Sequence, residues 1–289
     1  MCSDGVVIDD SNPGGLRAVA EQLATEAAGF VRRRRTEVFG SGSPRGGGAS
    51  TVRSKSTPTD PVTVVDTETE RLLRDRLADL RPGDPIVGEE EGGSAFGHDG
   101  RPTWVLDPID GTVNFVYGIE AYAVSVGVQI DGRSVAGAVA NVPTGEVFSA
   151  ALGEGAHLSR DGVSIALRCN PIGKVSMALV GTGFGYAPER RRVQAEVLAR
   201  LLPSVRDVRR IGSCALDLCM VAAGRLDAYY ELGVNVWDWS AGAVIAEEAG
   251  AVVLLPPIGE GEGGHGLIVA AAPGIAAEFD DVLRRASAR

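Results

Sequence analysis

An apolar stretch that ends in two carboxylates constrains this chain more than any other feature of its sequence. Residues 104–106 read Trp-Val-Leu, and Asp107 and Asp110 follow, separated by Pro-Ile and succeeded by Gly111-Thr112. Carboxylates at the end of a buried strand are costly unless they are paired or bind a metal. A Gly-Thr turn can direct backbone N–H groups toward an anion. The stretch therefore predicts either simple turns at Asp-Pro and Asp-Gly or a site for a hard cation and a phosphate.

Length and hydrophobic content predict a protein with a substantial core. The chain has 289 residues, of which 44% are hydrophobic, enough for one large domain or two small ones packed together. Its longest apolar runs, 252–257 and 267–272, have the length of strands, so we predict no association with a membrane. Residues 1–12 show no basic-then-apolar pattern of a secretory signal, and we therefore expect a cytoplasmic protein.

Charge and cysteine usage exclude several classes of function. The formal net charge is −10, from 28 basic and 38 acidic residues, which argues against direct binding of nucleic acid. An acidic protein would repel a phosphate substrate unless divalent cations supplied positive charge at the site. The cysteines form no Cys-x-x-Cys pair and none is near a histidine, so we expect reduced thiols rather than zinc ligands or disulfides. They are Cys2, Cys169, Cys214 and Cys219.

The first half of the chain is predicted to pack helices against a mainly antiparallel sheet. Helical spacing of apolar residues predicts a helix over Leu16–Arg35, whose arginines at 32–35 we expect to form a solvated face. A second helix is expected from about Thr67 to Leu80, followed by a short strand at 85–87. Alternating or continuous apolar patterns with Gly-containing turns between them then predict a meander. Its strands are expected at 121–130, 134–142, 146–151 and 156–158.

The second half alternates strands and helices, which is typical of a layered α/β arrangement. Strands are expected at 175–181, 205–211, 228–231, 252–255 and 267–271, and helices at 189–202, 213–223, 240–249 and 276–285. We place a boundary near 168–174. Residues 1–172 would supply the helices, the antiparallel sheet and most metal ligands, and residues 173–289 an α/β half that completes one catalytic unit. The predicted class is an α+β or α/β layered sandwich.

Three more acidic residues lie where a predicted strand ends or a helix begins. Glu89 follows the short strand, Asp238 precedes the Ala/Gly-rich helix, and Asp66 precedes the second helix. Singly, Glu89 is typical of a solvated acidic loop, and Asp66 and Asp238 of helix N-caps. Together with Asp107 and Asp110 they can converge on a hard cation, which unrelated caps would not do.

These motifs also resemble those of the inositol monophosphatase family, over roughly residues 15–285. The matching segments are Gly88-Glu89-Glu90, Trp104-x-x-Asp107-Pro108-Ile109-Asp110-Gly111-Thr112-x-Asn114-Phe115, Gly212-Ser213-Cys214-Ala215, Tyr229-Tyr230-Glu231 and Trp237-Asp238. The order and spacing of the Asp-Pro-Ile-Asp-Gly-Thr block with Glu89 and Asp238 favour the cation site over simple turns. Two positions depart from the family pattern. Glu91 extends the acidic loop, so Glu90 competes with Glu89 as the ligand, and the bulky Trp239 would reshape the helix contact or the substrate rim.

The resemblance implies alternating α-β-α-β-α layers and a site for two or three Mg²⁺ ions. Glu89, Asp107 and the carbonyl of Ile109 would hold the first ion, and Asp107, Asp110 and Asp238 would share the second. The amides of Gly111 and Thr112 would bind phosphate, while the Thr112 hydroxyl and Glu89 orient the attacking water and Asp66 supports waters around the metals. The sugar-alcohol would contact Asp110, Gly212, Ser213, Cys214, Glu231 and Asp238, with Lys55 near the same mouth.

The function that the resemblance implies is that of a Mg²⁺-dependent, Li⁺-sensitive phosphomonoesterase that acts as a homodimer. Myo-inositol 1-phosphate is the leading substrate, because Glu231 and the 212–214 turn match the inositol-handling positions. Histidinol phosphate, fructose 1,6-bisphosphate and a 3′-phosphoadenosine nucleotide remain alternatives on the same scaffold. A non-catalytic regulator of RNA synthesis is a further alternative, since the net charge argues against contact with nucleic acid but not against a protein partner.

Overall fold

The computed structural model describes residues 12–40, 52–54, 61–93, 100–256 and 266–288. The helices are α1 (Pro13–Phe39), α2 (Val64–Leu80), α3 (Thr112–Tyr117), α4 (Pro188–Leu201), α5 (Cys214–Ala222), α6 (Val236–Glu248) and α7 (Ala276–Ser287). The strands are β1 (Val52–Ser54), β2 (Pro61–Thr63), β3 (Ile86–Gly88), β4 (Thr103–Asp110), β5 (Ala123–Ile130), β6 (Arg133–Asn141), β7 (Val147–Ala151), β8 (Ala156–Arg160), β9 (Val163–Ala166), β10 (Leu179–Thr182), β11 (Asp207–Arg209), β12 (Ala228–Leu232), β13 (Val252–Leu254) and β14 (Leu267–Ala271). Lys55 lies outside the described residues.

Two large sheets and three layers of helices form the described part of the molecule. The first sheet has seven strands in the order β3-β4-β5-β6-β7-β8-β9, and the second has five in the order β11-β10-β12-β14-β13. Helices α1 and α2 cover the outer face of the seven-stranded sheet, and α4 and α7 cover that of the five-stranded sheet. Helices α5 and α6 fill the space between the sheets and contact both. The predicted α-β-α-β-α layering is therefore confirmed.

The middle layer explains why α6 is apolar around its whole circumference. A helix with a sheet on each side has no face toward water, so Val, Ala and Gly recur on every side of it. Gly127 and Gly137 let its backbone approach the seven-stranded sheet closely. A Cβ at Gly127 would lie 2.7 Å from the Ser240 Cβ, and one at Gly137 would lie 2.8 Å from the Ala241 Cα.

The arginines near the end of α1 form the predicted solvated face only in part, since Arg32 and Arg33 are exposed whereas Arg34 and Arg35 are half-buried. The helix continues to Phe39, so these side chains lie before its last turn and reach neighbouring elements. Arg32 donates from Nε and Nη2 to the Val142 carbonyl, at 3.0 and 2.6 Å. The Arg35 Nε donates to the carbonyl of Phe115 at 3.0 Å, and the ring of Phe115 lies beneath the guanidinium. Both arginines therefore fasten α1 to the chain segments around the sheet edge.

Other differences concern element bounds. The predicted strand over 175–181 is a 3₁₀ turn at Val175–Met177 followed by β10, and the helix expected at 240–249 begins four residues earlier. Helix α3 and strand β9 were not predicted, and His157, whose sequence context predicts a loop, lies in β8. The sequence also predicts a Gly/Ser-rich loop over 39–51, a polar loop over 93–102 and a flexible loop over 259–266, and these segments fall largely outside the described residues. A domain boundary near 168–174 stays a prediction.

The described helices include none that is both long enough and apolar enough to cross a bilayer.

Candidate active site

Two parallel strands bring Glu89 beside Asp107. Strand β3 runs parallel to β4, with Gly88 opposite Leu106, and the Glu89 N–H donates to the Leu106 carbonyl at 3.2 Å. Because parallel strands end at the same edge of a sheet, the two carboxylates meet there, and a side-chain hydrogen bond joins them. Glu89 lines the cavity at this edge, whereas Glu90 is not among the lining residues and its N–H donates to Glu70. The arrangement favours Glu89 over Glu90 as the ligand.

A β-bulge turns Asp107 and Asp110 toward the same point. Residues three apart on a regular strand lie on opposite faces of the sheet. Here Asp107 pairs with Ser125 and Asp110 with Ala123, so β4 carries one more residue than β5 between the two pairs. Pro108, which has no N–H to donate, falls inside this irregular segment. The ligand oxygens of Asp107, Asp110 and Asp238 consequently lie within 4.8 Å of one another.

Asp66 and Asp238 are not helix N-caps, contrary to the simplest interpretation of the sequence. Helix α2 is capped by Thr63 and α6 by Asn235, each three residues upstream of the acid. The Asp66 Oδ2 accepts bonds from the Thr63 N–H at 2.9 Å and the Thr63 hydroxyl at 2.5 Å. The Asp238 Oδ2 accepts one from the Asn235 N–H at 2.5 Å. As in a capping box, each acid uses one oxygen to close its helix, and its other oxygen is available to the site.

Asp110 is divided in the same way between support and site. Its Oδ2 accepts hydrogen bonds from the Ser213 hydroxyl at 2.6 Å and from the Ala215 N–H at 2.7 Å. The Ser213 hydroxyl also caps α5 by accepting from the Leu216 N–H at 3.2 Å. Ser213 lines the cavity, but its hydroxyl holds Asp110 against the start of α5.

Burial is the largest cause of the unusual acidities in this cluster. It raises the pKa of Asp66 to about 7 and the pKa of Asp110 to about 7, although hydrogen bonds from Thr63 and Ser213 oppose the rise. Burial and the nearby charge of Glu89 raise the pKa values of Asp107 and Asp238 well above the ordinary value. A divalent cation would relieve the repulsion among these carboxylates, and an all-oxygen donor set suits Mg²⁺. The residues present therefore fit the implied metal.

The Gly111-Thr112 turn lies next to the carboxylates. Gly111 has φ +94°, and a Cβ there would lie 2.9 Å from the Ala121 carbonyl oxygen, so a side chain is excluded on two counts. The Thr112 Oγ lies 3.0 Å from the Ile109 carbonyl oxygen and 3.2 Å from the Asp66 Oδ1. A hydroxyl has one hydrogen and donates to one of these acceptors at a time.

Glu231 occupies the opposite side of the site, near the end of β12. Its Oε2 accepts a hydrogen bond from the Tyr229 hydroxyl at 2.6 Å, and Tyr229 also hydrogen-bonds the Cys214 thiol. Burial raises the pKa of Glu231. Gly183, which follows β10, lies directly against the Glu231 carboxylate. The glycine-rich segment 181–185, which the sequence predicts to be a strand-end loop near the active site, therefore lies at the site.

One cavity of about 510 Å³ joins these groups. Of the predicted site residues it is lined by Glu89, Asp107, Ile109, Asp110, Gly111, Thr112, Gly212, Ser213, Cys214, Glu231 and Asp238. Asp66 is fully buried and reaches the site through Thr112. The structure therefore brings residues of β4 together with residues of α5, β12 and α6, which follow more than a hundred positions later in the sequence.

Comparison with known proteins decides the family. The sequence model of the inositol monophosphatase family matches residues 15–285 of the chain. The chain belongs to the inositol monophosphatase family. It is 64% identical over 284 residues to an inositol-1-monophosphatase of Mycobacterium leprae, covering 97% of both chains. The solved structure of Mycobacterium tuberculosis SuhB superposes with a TM-score of 0.81 at 60% identity, over 96% of this chain and 98% of that one. A Nus factor SuhB of Pasteurella multocida is 37% identical over 226 residues, covering 76% of this chain and 81% of that protein.

This inositol monophosphatase family member has cavity residues that the sequence analysis did not assign. Phe184, Tyr186 and Arg190, from the loop and helix after β10, line the cavity together with Arg210. The loop itself was expected near the site, but no sequence pattern singles out these side chains, because only the parallel pairing of β10 with β12 brings the loop beside Glu231.

Trp237 and Asn114 belong to the motifs shared with the family, and Trp239 departs from the family pattern. Trp237 lines the cavity, whereas Trp239 is 2% exposed and packs in the core against the five-stranded sheet, so it alters the helix contact rather than the rim. The Asn114 side-chain amide donates to the carbonyls of Ala121 at 2.7 Å and Ile211 at 2.9 Å. Asn114 thus ties the turn at Gly111 to the segment that leads into Gly212.

Proposed function

We propose that this chain hydrolyses inositol monophosphate to myo-inositol and phosphate in a Mg²⁺-dependent reaction. The observation that carries the proposal is the convergence of Asp107, Asp110 and Asp238 within 4.8 Å beside the Gly111-Thr112 turn. The names of the Mycobacterium relatives support the substrate, since the relative at 64% identity is an inositol-1-monophosphatase.

Two or three Mg²⁺ ions would be held at the carboxylate edge of the cavity. Glu89, Asp107 and the Ile109 carbonyl would hold one ion, and Asp107, Asp110 and Asp238 another. Bound there, Mg²⁺ supplies positive charge to the phosphate oxygens and acidifies water for attack. The raised pKa values of the three aspartates, caused mainly by burial, support this assignment, because a cation would offset the cost of burying their negative charges.

Thr112 would orient the attacking water. The Asp66 Oδ2 is occupied by Thr63, and its Oδ1 faces the Thr112 hydroxyl at 3.2 Å. When that hydroxyl donates to Asp66, its lone pairs can accept a hydrogen bond from water. Glu89 would accept the other water hydrogen, and the N–H groups of Gly111 and Thr112 would hold the phosphate by charge-assisted bonds.

The sugar-alcohol would lie between the carboxylate edge and β12. Glu231 would accept a hydroxyl hydrogen bond through Oε1, because its Oε2 already accepts from Tyr229. Gly212, with φ +96°, leaves the space that the Arg210 and Asn114 side chains occupy, since a Cβ there would collide with them, and Cys214 completes this wall. A water beside Asp238 would return a proton to the leaving oxygen.

We further propose a cytoplasmic homodimer that Li⁺ inhibits, with neither nucleic acid nor a membrane as a direct partner. The acidic balance of −10 supports the absence of a nucleic-acid role. Exposed apolar side chains, among them Tyr117 at 67% and Ile119 at 53% exposure, support contact with a second copy. Sedimentation equilibrium of the full chain tests the dimer.

Phosphate release from a panel of monoesters tests the proposed reaction. The panel contains myo-inositol 1-phosphate, histidinol phosphate, fructose 1,6-bisphosphate and a 3′-phosphoadenosine nucleotide, each assayed with Mg²⁺, with EDTA, and with Mg²⁺ plus Li⁺. We expect the highest kcat/KM with inositol phosphate, loss of turnover in EDTA, and inhibition by Li⁺. Absence of Mg²⁺-dependent turnover with every member would refute the enzyme proposal, whereas a preference for another member would refute only the substrate.

A regulatory role in RNA synthesis is the second candidate, supported by the 37% identity to a Nus factor. Cells in which the Asp107→Asn variant replaces the wild-type protein distinguish the catalytic role from the regulatory role. A catalytic role requires that the variant fail to restore growth or RNA synthesis, and restoration by the variant would favour the regulatory role.

A further inference from the structure

Directly behind the loop that carries Glu89 lies a buried carboxylate that is not among the predicted site residues. Glu70, on α2, is 0% exposed. Its Oε2 accepts a hydrogen bond from the Glu90 N–H at 2.7 Å, and its Oε1 accepts one from the Glu91 N–H at 3.0 Å. Both oxygens therefore bind backbone donors of the two residues that follow Glu89.

Arg74, one turn further along α2, fastens the same loop at its other end. Its Nε donates to the Glu70 Oε1 at 2.9 Å, and its Nη2 donates to the Gly92 carbonyl at 2.6 Å. Its guanidinium thereby neutralises the buried carboxylate and reaches the last residue of the turn. Charge-assisted bonds of this kind are about twice as strong as bonds between neutral groups.

Gly88 leaves the space that Glu70 occupies. A Cβ at Gly88 would collide with the Glu70 carboxylate, so this contact requires glycine. Gly88 and Gly92 also exchange backbone bonds of 3.0 and 3.1 Å, which close the loop at its base. Glu89 is thus the first residue of a short turn that is closed by its own backbone and filled from behind by α2.

The same helix supports the opposite side of the site. Asp66 lies four residues before Glu70, and side chains at this spacing share a helix face. Asp66 contacts Thr112, while Glu70 contacts the 90–91 amides. One rigid face therefore sets the distance between the Thr112 hydroxyl and the Glu89 turn.

We infer that Glu70, held by Arg74, is a positioning residue that fixes the Glu89 turn in the geometry needed to bind metal. The inference rests on the proposed function, in which Glu89 is a metal ligand. The loop lies between Glu70 and the proposed metal site, so Glu70 would act only through the backbone of that loop. Residues that orient metal ligands typically contribute about 10- to 100-fold in metal affinity.

The test measures binding of Mn²⁺ alone to the metal-free full-length protein, from the electron paramagnetic resonance signal of free Mn²⁺. In Glu70→Gln an amide NH₂ group would face one of the two backbone N–H donors, so one bond to the turn is lost. We expect the Mn²⁺ dissociation constant to rise about 10- to 100-fold. Glu68→Gln is the matched control, because Glu68 is a carboxylate on the same helix that pairs with Arg34 instead, at 2.7 and 3.0 Å.

Amide hydrogen exchange provides a second readout that a general loss of stability would not reproduce. We expect faster exchange of the Glu90 and Glu91 amides in Glu70→Gln, with the α2 amides unchanged, and wild-type exchange in Glu68→Gln. A folded Glu70→Gln protein with wild-type Mn²⁺ affinity would overturn the inference. A wild-type protein that binds no Mn²⁺ would instead contradict the proposed function.

Arg74→Lys keeps the test decisive if Glu70→Gln does not fold. Lysine retains the charge beside Glu70 but cannot bond Glu70 and the Gly92 carbonyl with the two-pronged geometry of arginine. We expect weaker Mn²⁺ binding and faster exchange at 90–91, and wild-type values for both in a folded Arg74→Lys protein would overturn the inference.

Discussion

The acidic residues of the site each divide their two oxygens between structure and chemistry. Asp110 uses one oxygen for Ser213 and Ala215, Asp66 one for Thr63, and Asp238 one for Asn235. A carboxylate fixed through one oxygen presents the other in a defined direction without losing side-chain entropy on binding a ligand. The side chains of these three acids are therefore already oriented for a cation before it binds.

Asp107→Asn should abolish turnover while leaving the fold intact. Asp107 would contribute to both metals, and asparagine removes its charge at almost constant volume. We expect kcat/KM to fall by more than about 100-fold, because even residues that only support metal ligands are worth about 10- to 100-fold. Steady-state assays with inositol phosphate measure the effect.

Asp227→Asn is the matched control for that variant. Asp227 is also a buried aspartate, but it accepts bonds from the Leu179 N–H and the Asn170 amide, away from the cavity. It should retain turnover per folded molecule. An Asp107→Asn protein with a near-wild-type rate would show that the metal assignment is wrong.

The elements of the middle layer connect the two sheets and deliver the acids. The start of α5 holds Asp110, and the first turn of α6 carries Asp238. Helix α6 reaches that position because Gly127 and Gly137 let it pack closely on the sheet. The position of Asp238, a proposed metal ligand, thus depends on two glycines of the facing strands.

Gly137→Ala should therefore weaken both the fold and the metal site. The new Cβ would lie 2.8 Å from the Ala241 Cα and would push α6 away from β6. Overpacking of this kind typically costs about 1–3 kcal/mol. We expect a loss of this size in urea unfolding, together with a higher Mg²⁺ requirement for activity.

Gly173→Ala is the control for the substitution itself. A Cβ at Gly173 meets no atom within 4 Å and its φ is compatible with alanine, so stability and Mg²⁺ requirement should stay at wild-type values. Equal effects of the two variants would exclude close packing of α6 as the cause.

For the molecule as a whole, the raised pKa values of the buried carboxyl groups predict an unusual dependence of stability on pH. Asp66 has a pKa of about 7 in the folded chain against 3.8 ordinarily, so between these values the folded state holds a proton that the unfolded state has released. Stability from this group is complete below pH 4 and is lost as pH rises to 7, a change of the order of 4 kcal/mol.

Urea unfolding in EDTA from pH 4 to pH 8 tests this prediction. We expect the unfolding free energy of wild type to decline toward pH 7 relative to Asp66→Asn, which cannot titrate. Excess Mg²⁺ should reduce the decline, because metal binding favours the ionised forms of Asp107, Asp110 and Asp238. Parallel curves for wild type and Asp66→Asn in EDTA would contradict the assignment.

The layers and most of the cavity lining were predicted by the resemblance to the inositol monophosphatase family rather than by residue patterns alone. The positions of Glu89, Asp107 and Asp238 at the ends of regular elements were compatible with a cation site, but each was also typical of a loop, a turn or a helix N-cap, and the resemblance decided between these interpretations. The bulge at Pro108 was not predictable, since hydrophobic patterns do not report which strand residues are paired. Glu70 was missed because a buried acid on an amphipathic helix has the same pattern as a solvated one, and only the fold places the 90–91 amides against it.

The placement of α6 between the sheets has a consequence for synthesis. A growing chain acquires Glu89, Asp107 and Asp110 early, but Asp238 enters only after about four fifths of the 289 residues have been made. Helix α6 packs against both sheets, so both sheets are needed before the Asp238 carboxylate can lie beside the other carboxylates. A chain that stops before Asp238 would therefore lack a residue of the proposed second metal site, and that site would be completed only late in synthesis.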